Sequence, residues 1–301
     1  MNLEKSFTIK FGNNFNQNVN LSNYSWFNLG GNAEFFFKPN DKNQLLEFLE
    51  EAKKNNLKTT ILGAGSNILF RDNGVKGVVI KLGPNFSYTK LINKNTIEVG
   101  AATLDRNVAN FARDNNIANL EFLSCIPGSI GGAIIMNSGC YDNDISKILL
   151  SVQVIDKNNL TEREIKKEDI KFLYRKTDLT ENLIIISAKF KGLAEDKNII
   201  KKKQSDLVER KKLSQPSQIK TCGSTFKNID KDKKAWMLIK ESGCENFKEG
   251  DAIISQKHCN FFVNNGNARS VDIENLIKKV KKTVQDKTGV NLELEIKIIG
   301  E

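Results

Sequence analysis

The chain has 301 residues, of which 39% are hydrophobic and 27% are charged, with 20 Gly and only 4 Pro. This composition excludes collagen-like, mucin-like and wholly disordered proteins, and the length suggests about two domains with a substantial core. The formal net charge of +10 favours an anionic partner, such as nucleic acid, a membrane surface or a phosphorylated small molecule.

The first third of the chain predicts alternating helices and strands. The first twenty residues are polar and rich in Asn, and they could form a frayed arm. Asp41 is placed to cap a helix, because the apolar residues after it recur at helical spacing. The further elements predicted here are strands at 58–62, 77–82 and 96–100 and a helix over 104–115.

The rest of the chain predicts one antiparallel sheet and then a smaller α+β region. The runs at 149–156 and 183–191 are typical of two strands of that sheet. Segment 195–215 is strongly charged and predicts an exposed helix that leads into a second domain. The elements predicted beyond it are a helix at 234–242, strands at 252–255 and 260–264, a helix over 271–287 and a final strand at 292–299.

Cysteine usage and the N-terminal sequence indicate the compartment. The 5 Cys residues form no CxxC pair, so neither a disulfide framework nor a structural metal site is expected. The start of the chain has no apolar signal core, and no apolar run reaches the roughly 18 residues of a membrane helix. We therefore expect a soluble, cytoplasmic protein without a metal.

Two glycine-rich loops are candidates for binding phosphate. GAGSN (63–67) follows a predicted strand, and the second loop is PGSIGGA (127–133). Glycine lets backbone N–H groups approach an anion closely. Neither loop is a GxGxxG or Walker A motif, and each alone could be an ordinary turn. Together they favour a dinucleotide held by loops.

Three patches carry candidate catalytic side chains. The chain has a single His and neither a GxSxG nor an HExxH motif, which leaves the chemistry to Ser, Arg, Lys, Glu and Tyr. LYRKTD contains Arg175, CGSTFKN contains Ser224, and LELEIKIIGE places Glu293 and Glu295 on one face of a strand. Each patch also has an ordinary interpretation, respectively a surface ion pair, a turn and a solvated face.

These motifs, in this order, resemble the UDP-N-acetylenolpyruvoylglucosamine reductase (MurB) family of peptidoglycan synthesis. The chain looks like the shorter type II branch, because little sequence separates YRKT from GSTFKN. The resemblance extends over nearly the whole chain from about residue 20 and rests on seven segments: NYSWFNLGGNAEFF (23–36), LGAGSNILFRD (62–72), IPGSIGGAIIMNSG (126–139), YRKT (174–177), GSTFKN (223–228), KHCNFFVN (257–264) and LELEIKIIG (292–300).

The resemblance implies an α+β fold of the FAD-binding vanillyl-alcohol-oxidase (PCMH) type. Two subdomains of this fold hold the flavin, and a C-terminal α+β domain binds the UDP-sugar. We expect the first subdomain at 1–80, joined by the C-terminal strand 292–301. The second subdomain is expected at 81–195 and the substrate domain at 196–291.

The resemblance also implies which residues hold the cofactor. The GAGSN loop would hold the pyrophosphate of FAD, and the second loop would run beside the flavin. The expected cofactor-binding residues are Gly63, Ala64, Gly65, Ser66, Asn67, Ile126, Pro127, Gly128, Ser129, Gly131, Gly132 and Ala133.

The implied reaction reduces UDP-N-acetylglucosamine enolpyruvate to UDP-N-acetylmuramate with NADPH. In the family a hydride passes from flavin N5 to C3 of the enol ether, and C2 receives a proton. By motif, Ser224 would donate that proton, Arg175 would stabilise the enolate, and Glu295 would hold the carboxylate. Glu293 is an alternative to Glu295. Because a Ser hydroxyl is a weak acid, Lys227 or a water could assist it.

The expected substrate contacts are Lys212, Lys227, Asn228 and His258, although a structural role for His258 also remains open. A different flavin oxidoreductase of the same fold is one alternative, which the GSTFKN patch and the C-terminal Glu disfavour. A basic, non-enzymatic nucleic-acid-binding protein is another, but no RNP pattern or zinc finger supports it. We expect a monomer that binds the UDP-sugar and NADPH, without nucleic acid or membrane, and the choice between NADPH and NADH stays open.

Overall fold

The structure is a computed structural model that describes residues 3–230 and 232–301. The chain forms two compact units, each assembled from several segments. The first unit comprises Met1–Asn16, Phe36–Ala64 and Val78–Lys211, and the second comprises Gln17–Phe35, Gly65–Gly77 and Lys212–Glu301. The three-part division expected from the sequence remains a prediction.

The described residues contain helices and strands in alternation. The helices are α1 (Leu3–Phe11), α2 (Lys42–Lys54), α3 (Asp105–Asp114), α4 (Ile130–Ile135), α5 (Ile145–Ile148), α6 (Lys197–Ser214), α7 (Ala235–Glu241) and α8 (Ser270–Thr288). The strands are β1 (Phe15–Asn20), β2 (Asn32–Phe37), β3 (Thr59–Ile61), β4 (Ile68–Phe70), β5 (Val75–Ile80), β6 (Thr89–Asn93), β7 (Thr96–Gly100), β8 (Ile117–Ala118), β9 (Gly139–Cys140), β10 (Asn143–Asp144), β11 (Leu149–Asp156), β12 (Glu162–Lys166), β13 (Phe172–Leu173), β14 (Lys176–Thr177), β15 (Leu183–Lys191), β16 (Leu193–Ala194), β17 (Lys248–Glu249), β18 (Ala252–Ile254), β19 (Phe262–Asn264) and β20 (Lys297–Ile299).

A five-stranded antiparallel sheet organises much of the first unit. Its order is β12-β11-β15-β7-β6, and β11 and β15 pair antiparallel as predicted, with Val152 opposite Ala188. Helices α3 and α4 share one buried cluster with this sheet, to which Val108 and Ile134 contribute. The sheet therefore supports the glycine-rich segment that leads into α4.

The N-terminal segment departs from the sequence prediction. The frayed arm is wrong from Leu3 onward, because α1 is followed directly by a short turn and β1. Phe7 and Phe11 are buried, and their rings lie 5.6 and 5.3 Å from the ring of Phe48 in α2. Aromatic burial anchors this polar segment. The cap predicted for α2 is present, since the Asp41 side chain accepts the N–H of Gln44 at 2.9 Å.

Smaller sheets complete the fold. One four-stranded sheet has the order β1-β2-β5-β3, in which β3 and β5 run parallel. Strand β3 is followed by the GAGSN loop, and the segment ILF after this loop forms β4. No helix within the described ranges combines the length and apolar character required to cross a membrane.

The C-terminal part of the second unit packs α7 and α8 with the antiparallel sheet β17-β18-β19. The final strand is shorter than predicted. Only β20 pairs with β4, in parallel, and before it Leu294 forms a single bridge with Phe226. Five apolar residues recur at helical spacing along α8, and all of them are buried: Ile273, Leu276, Ile277, Val280 and Val284.

Candidate active site

Ser224 lies on an extended segment with a neighbouring segment on each side. Gly223, with a φ of +80°, turns the chain into it. Ser224 forms an antiparallel bridge with Phe261, and on the other side the N–H of Glu295 donates to the carbonyl of Thr225 at 2.9 Å. The second unit therefore brings the expected proton donor and the expected carboxylate onto adjacent extended segments.

The two C-terminal glutamates have different surroundings. The Glu293 side chain is 73% exposed, and its Oε1 accepts from Lys227 Nζ at 2.5 Å. Glu295 is half-buried, one residue beyond the bridge at Leu294. Because the Lys227 ammonium is paired with Glu293, the structure gives no support to the hypothesis that Lys227 assists Ser224.

Asn228 and Lys212 lie at the ends of helices. Asn228 Oδ1 accepts the N–H of Ala235, the first residue of α7, at 3.1 Å. Asn228 therefore caps this helix, whatever else its amide contacts. Lys212 is exposed in the last turn of α6, and its carbonyl accepts from Lys257 Nζ at 2.6 Å.

His258 packs among aromatic side chains. Its ring meets the edge of the Phe261 ring at 4.7 Å and lies 6.3 Å from the Trp236 ring. The Asn260 N–H donates to Nδ1 at 3.3 Å, and burial lowers the pKa of His258. The imidazole is therefore neutral near pH 7 and carries its hydrogen on Nε2. These contacts support the structural role, and a contact with substrate stays a prediction.

The GAGSN loop has the donor set that an anion requires. Gly65 has a φ of +72°, and a Cβ there would lie 1.8 Å from the Tyr24 carbonyl oxygen, so only glycine fits. The carbonyls of Gly63, Gly65 and Asn67 all accept hydrogen bonds. In contrast, the N–H groups of residues 63–67 donate to no protein acceptor in the part of the chain that the structure describes. Unpaired N–H groups on a glycine loop fit a pyrophosphate.

The segment that leads into α4, together with the first residues of this helix, also has backbone N–H groups without a protein acceptor among the described residues. At the start of α4, the N–H groups of Ile130 and Gly131 donate to the Thr103 and Ala101 carbonyls in the loop before α3, whereas those of Ser129 and Gly132 find no protein acceptor within the described ranges. A Cβ on Gly63 would lie 2.9 Å from Ser129 Oγ. Within the first unit, the structure therefore brings the start of one expected cofactor loop against the other.

Two ionisable residues beside these loops, the half-buried Lys81 and the buried Asp105, were missed by sequence reasoning. Lys81 Nζ donates to the Gly63 carbonyl at 2.7 Å, and burial lowers the pKa of this ammonium. Asp105 is fully buried, and a Cβ on Gly128 would lie 2.6 Å from its Oδ2. For Lys81 the available signal was a single charge at the end of the apolar run GVVIK.

Arg175 occupies the turn between β13 and β14, with a φ of +56°. Its Nη2 donates to the Gly139 carbonyl at 3.0 Å, and its guanidinium lies 5.0 Å from the centre of the Tyr174 ring. Asn137 Nδ2 donates to the Leu173 carbonyl at 3.2 Å and thereby ties the hairpin to the residues that follow α4. Arg175 belongs to the first unit, and the Ser224 and Glu295 segments belong to the second.

Comparison with known proteins first defines the class. Residues 33–162 match the model of the FAD binding domain family, so the two loops belong to an FAD-binding oxidoreductase. Residues 215–299 match the C-terminal domain of UDP-N-acetylenolpyruvoylglucosamine reductase.

Full-length relatives then give the particular family. The chain is 45% identical over 296 residues to the UDP-N-acetylenolpyruvoylglucosamine reductase of Pelagibacter ubique, covering 96% of this chain and 97% of the relative. It is 41% identical over 295 residues to that of Orientia tsutsugamushi strain Ikeda, covering 97% and 96%. The chain belongs to the UDP-N-acetylenolpyruvoylglucosamine reductase family.

A solved structure agrees with this assignment. The crystal structure of the reductase from Thermus caldophilus superposes with a TM-score of 0.81 at 30% identity, covering 94% of this chain and 98% of that one. The predicted fold class and family are confirmed. The chain is an FAD-dependent oxidoreductase that reduces the enolpyruvyl group of its UDP-sugar substrate in peptidoglycan synthesis.

Proposed function

We propose that this reductase draws its electrons from NADPH and that Ser224 protonates C2 of UDP-N-acetylglucosamine enolpyruvate. The observation that carries the proposal is the pairing within the second unit, where Glu295 donates its N–H to the residue after Ser224. A proton donor and a carboxylate on neighbouring extended segments can act on two atoms of one small substrate group.

The residues present fit FAD. In the proposal, the unpaired N–H groups of the GAGSN loop hold the pyrophosphate, and the backbone of Gly128, Ser129 and Gly132 faces the flavin end. Lys81, fixed on the Gly63 carbonyl, places positive charge beside the first loop. FAD supplies the hydride that reduction of the enol ether requires.

The chain's own residues would then manage the charge and the proton. Addition of a hydride at C3 leaves negative charge at C2 and on the substrate carboxylate. The Arg175 guanidinium would stabilise this charge, and Glu295 would hydrogen-bond the carboxylate and fix its orientation. Ser224 Oγ–H would donate its proton to C2 and regain one from solvent. The product then carries one hydride and one proton more than the substrate.

Binding of the diphosphate would use the basic residues of the second unit. Lys212 and Lys227 are the proposed cationic contacts, with Asn228 and His258 as neutral donors. This assignment is consistent with the net charge of +10. We further propose that the enzyme works in the cytoplasm as a monomer.

The substitution Ser224→Ala tests the proton-transfer role. We expect the variant to lose about 10²–10⁴-fold in the rate at which the enolpyruvyl substrate reoxidises the reduced flavin, because the proton donor is gone. Flavin reduction by NADPH should be unchanged. Anaerobic stopped-flow absorbance measures the two half-reactions separately.

Ser242→Ala is the matched control, because Ser242 is buried in the same unit and its Oγ has no partner in the described chain. This variant should retain both rates. Equal damage to both half-reactions in Ser224→Ala would overturn the assignment.

A further inference from the structure

Two cysteines of the first unit lie together beside the segment that leads into α4. Cys140 Sγ donates to the Phe122 carbonyl at 3.4 Å. Phe122 and Cys125 lie in one 3₁₀ turn, Glu121–Cys125, in which residues three apart stack above each other. The Cys140 thiol also interacts with the Cys125 thiol. The Cys140 thiol therefore lies beside the turn that contains Cys125.

Two cations accompany this pair. Lys211 Nζ donates to the Cys125 carbonyl at 2.5 Å and interacts electrostatically with both thiols. Arg175 also interacts electrostatically with Cys140. The Cys125 thiol and burial raise the pKa of Cys140, whereas the Cys140 thiol and, after it, the charge of Lys211 lower the pKa of Cys125 against the opposing effect of burial. This setting favours the thiolate, which is the reactive form of cysteine.

The other cysteines have different surroundings. Burial raises the pKa of the Cys222 thiol to about 11, and burial also raises the pKa of Cys244. Cys125 is buried and Cys140 is half-exposed, so this pair suits only an oxidant as small as hydrogen peroxide.

We propose that Cys125 and Cys140 form a redox-sensitive dithiol that hydrogen peroxide converts to an intramolecular disulfide. The Cys125 thiolate attacks the peroxide O–O bond, which yields a sulfenic acid and, after protonation, one water. The Cys140 sulfur then attacks the sulfenic sulfur, the S–S bond forms, and the second water leaves. Two thiols are oxidised by two electrons, one peroxide is reduced, and both thiol protons end in water.

The disulfide would connect the 3₁₀ turn to β9. The carbonyl of Gly139 in β9 accepts from Arg175, so a change in β9 is transmitted to that guanidinium. Oxidation should therefore slow the step in which Arg175 stabilises the enolate. This second effect rests on the proposed role of Arg175, whereas formation of the disulfide does not.

The test uses the full-length, FAD-loaded protein treated with hydrogen peroxide. Free thiols are alkylated, and the peptides are mapped by mass spectrometry with and without dithiothreitol. We expect a Cys125–Cys140 disulfide and the loss of two of the 5 free thiols. Dithiothreitol should reverse both changes. Retention of both thiols, or a disulfide between other cysteines, would overturn the proposal.

Two substitutions sharpen the result. Cys140→Ser should abolish the disulfide, whereas Cys244→Ser, a buried thiol in the second unit, should leave it intact. In the functional arm, the substrate should reoxidise the reduced flavin of the peroxide-treated wild type at least several-fold more slowly than that of the untreated protein, and dithiothreitol should restore the rate. Peroxide-treated Cys140→Ser should show no such slowing. An unchanged rate in a protein with the mapped disulfide would refute the coupling to Arg175 and leave the disulfide itself established.

Discussion

Asp105 shows how a single buried ionisable group can mark a functional region. The residue begins α3 with no exposed surface, and the backbone of Gly128 offsets the loss of hydration only in part. Loss of hydration raises the pKa of Asp105 well above its ordinary value. Its carboxyl group lies against Gly128 in the proposed cofactor segment, so the protein retains an unfavourable group where a ligand is expected.

The raised pKa predicts a pH-dependent stability. In the unfolded chain Asp105 ionises near its ordinary pKa, whereas in the folded protein it remains protonated to higher pH. The folded state therefore binds more protons, and stability falls as pH rises from about 4 to the raised folded pKa, by at most ~1.4 kcal/mol per pH unit. Asp105→Asn should remove this component, and urea unfolding of both apoproteins between pH 4 and 8 measures it.

Asp114, at the other end of α3, is the control for that experiment. Arg113 and Lys197 lower the pKa of Asp114 to about 2. Its contribution is therefore constant above pH 4 and is lost only at lower pH. Asp114→Asn should parallel the wild type over the measured range. If the unfolding free energies of the wild type and Asp105→Asn also changed in parallel with pH, Asp105 would be ionised in the folded protein.

Residue roles could be predicted where a local pattern specifies them. Asp41 was identified as a cap because a helical pattern follows it, and its contact with Gln44 confirms the cap. Burial of Asp105 and Lys81 depends on segments that are distant in sequence, so local pattern carries no such signal. The helix predicted over 104–115 includes Leu104, but in the structure this residue precedes α3 and is 47% exposed.

At the scale of elements, α1 is the clearest addition from the structure. Its polar, Asn-rich surroundings suggested an arm, but the helix buries Phe7 and Phe11 against Phe48. The amphipathic helix α8 was predicted correctly because it carries a full apolar face of its own. The short helix α1 has too few turns to show such a face, and its partners come from α2.

Burial of α1 predicts that Phe7 stabilises the first unit. Phe7→Ala should lower the free energy of unfolding by about 3–5 kcal/mol, because it removes a buried aromatic ring and leaves a cavity. Ile9→Ala is the control on the same helix, since Ile9 is 75% exposed. This control should change stability by less than about 0.5 kcal/mol. Chemical unfolding measures both, and similar values for the two variants would indicate that α1 does not pack in solution.

At the candidate site, too, the sequence could not predict contacts between elements that are distant along the chain. The three patches could be found from their composition, and the resemblance assigned their roles. The pairing of the Ser224 segment with the Glu295 segment joins distant parts of the chain, and only the structure displays it. The capping contact of Asn228 with α7 was likewise invisible, because it requires the turn between them.

At the scale of the whole molecule, the net charge of +10 bears on substrate capture. NADPH and the UDP-sugar are both polyanions, so long-range attraction should assist their binding. Raising the KCl concentration from 0.05 to 0.5 M shortens the screening length from above ~10 Å to a few ångströms. We expect the KM for the UDP-sugar to rise several-fold while kcat changes little, in steady-state assays. A KM independent of salt would show that the surplus charge lies away from the site.

The proposed function requires one chain to carry electrons from NADPH to an enolpyruvyl UDP-sugar through FAD. Anaerobic titration of the FAD-loaded protein, followed by absorbance, tests this most directly. One equivalent of NADPH should bleach the flavin bands, and one equivalent of UDP-N-acetylglucosamine enolpyruvate should restore them with formation of UDP-N-acetylmuramate. A flavin that stays bleached after the UDP-sugar is added would contradict the account.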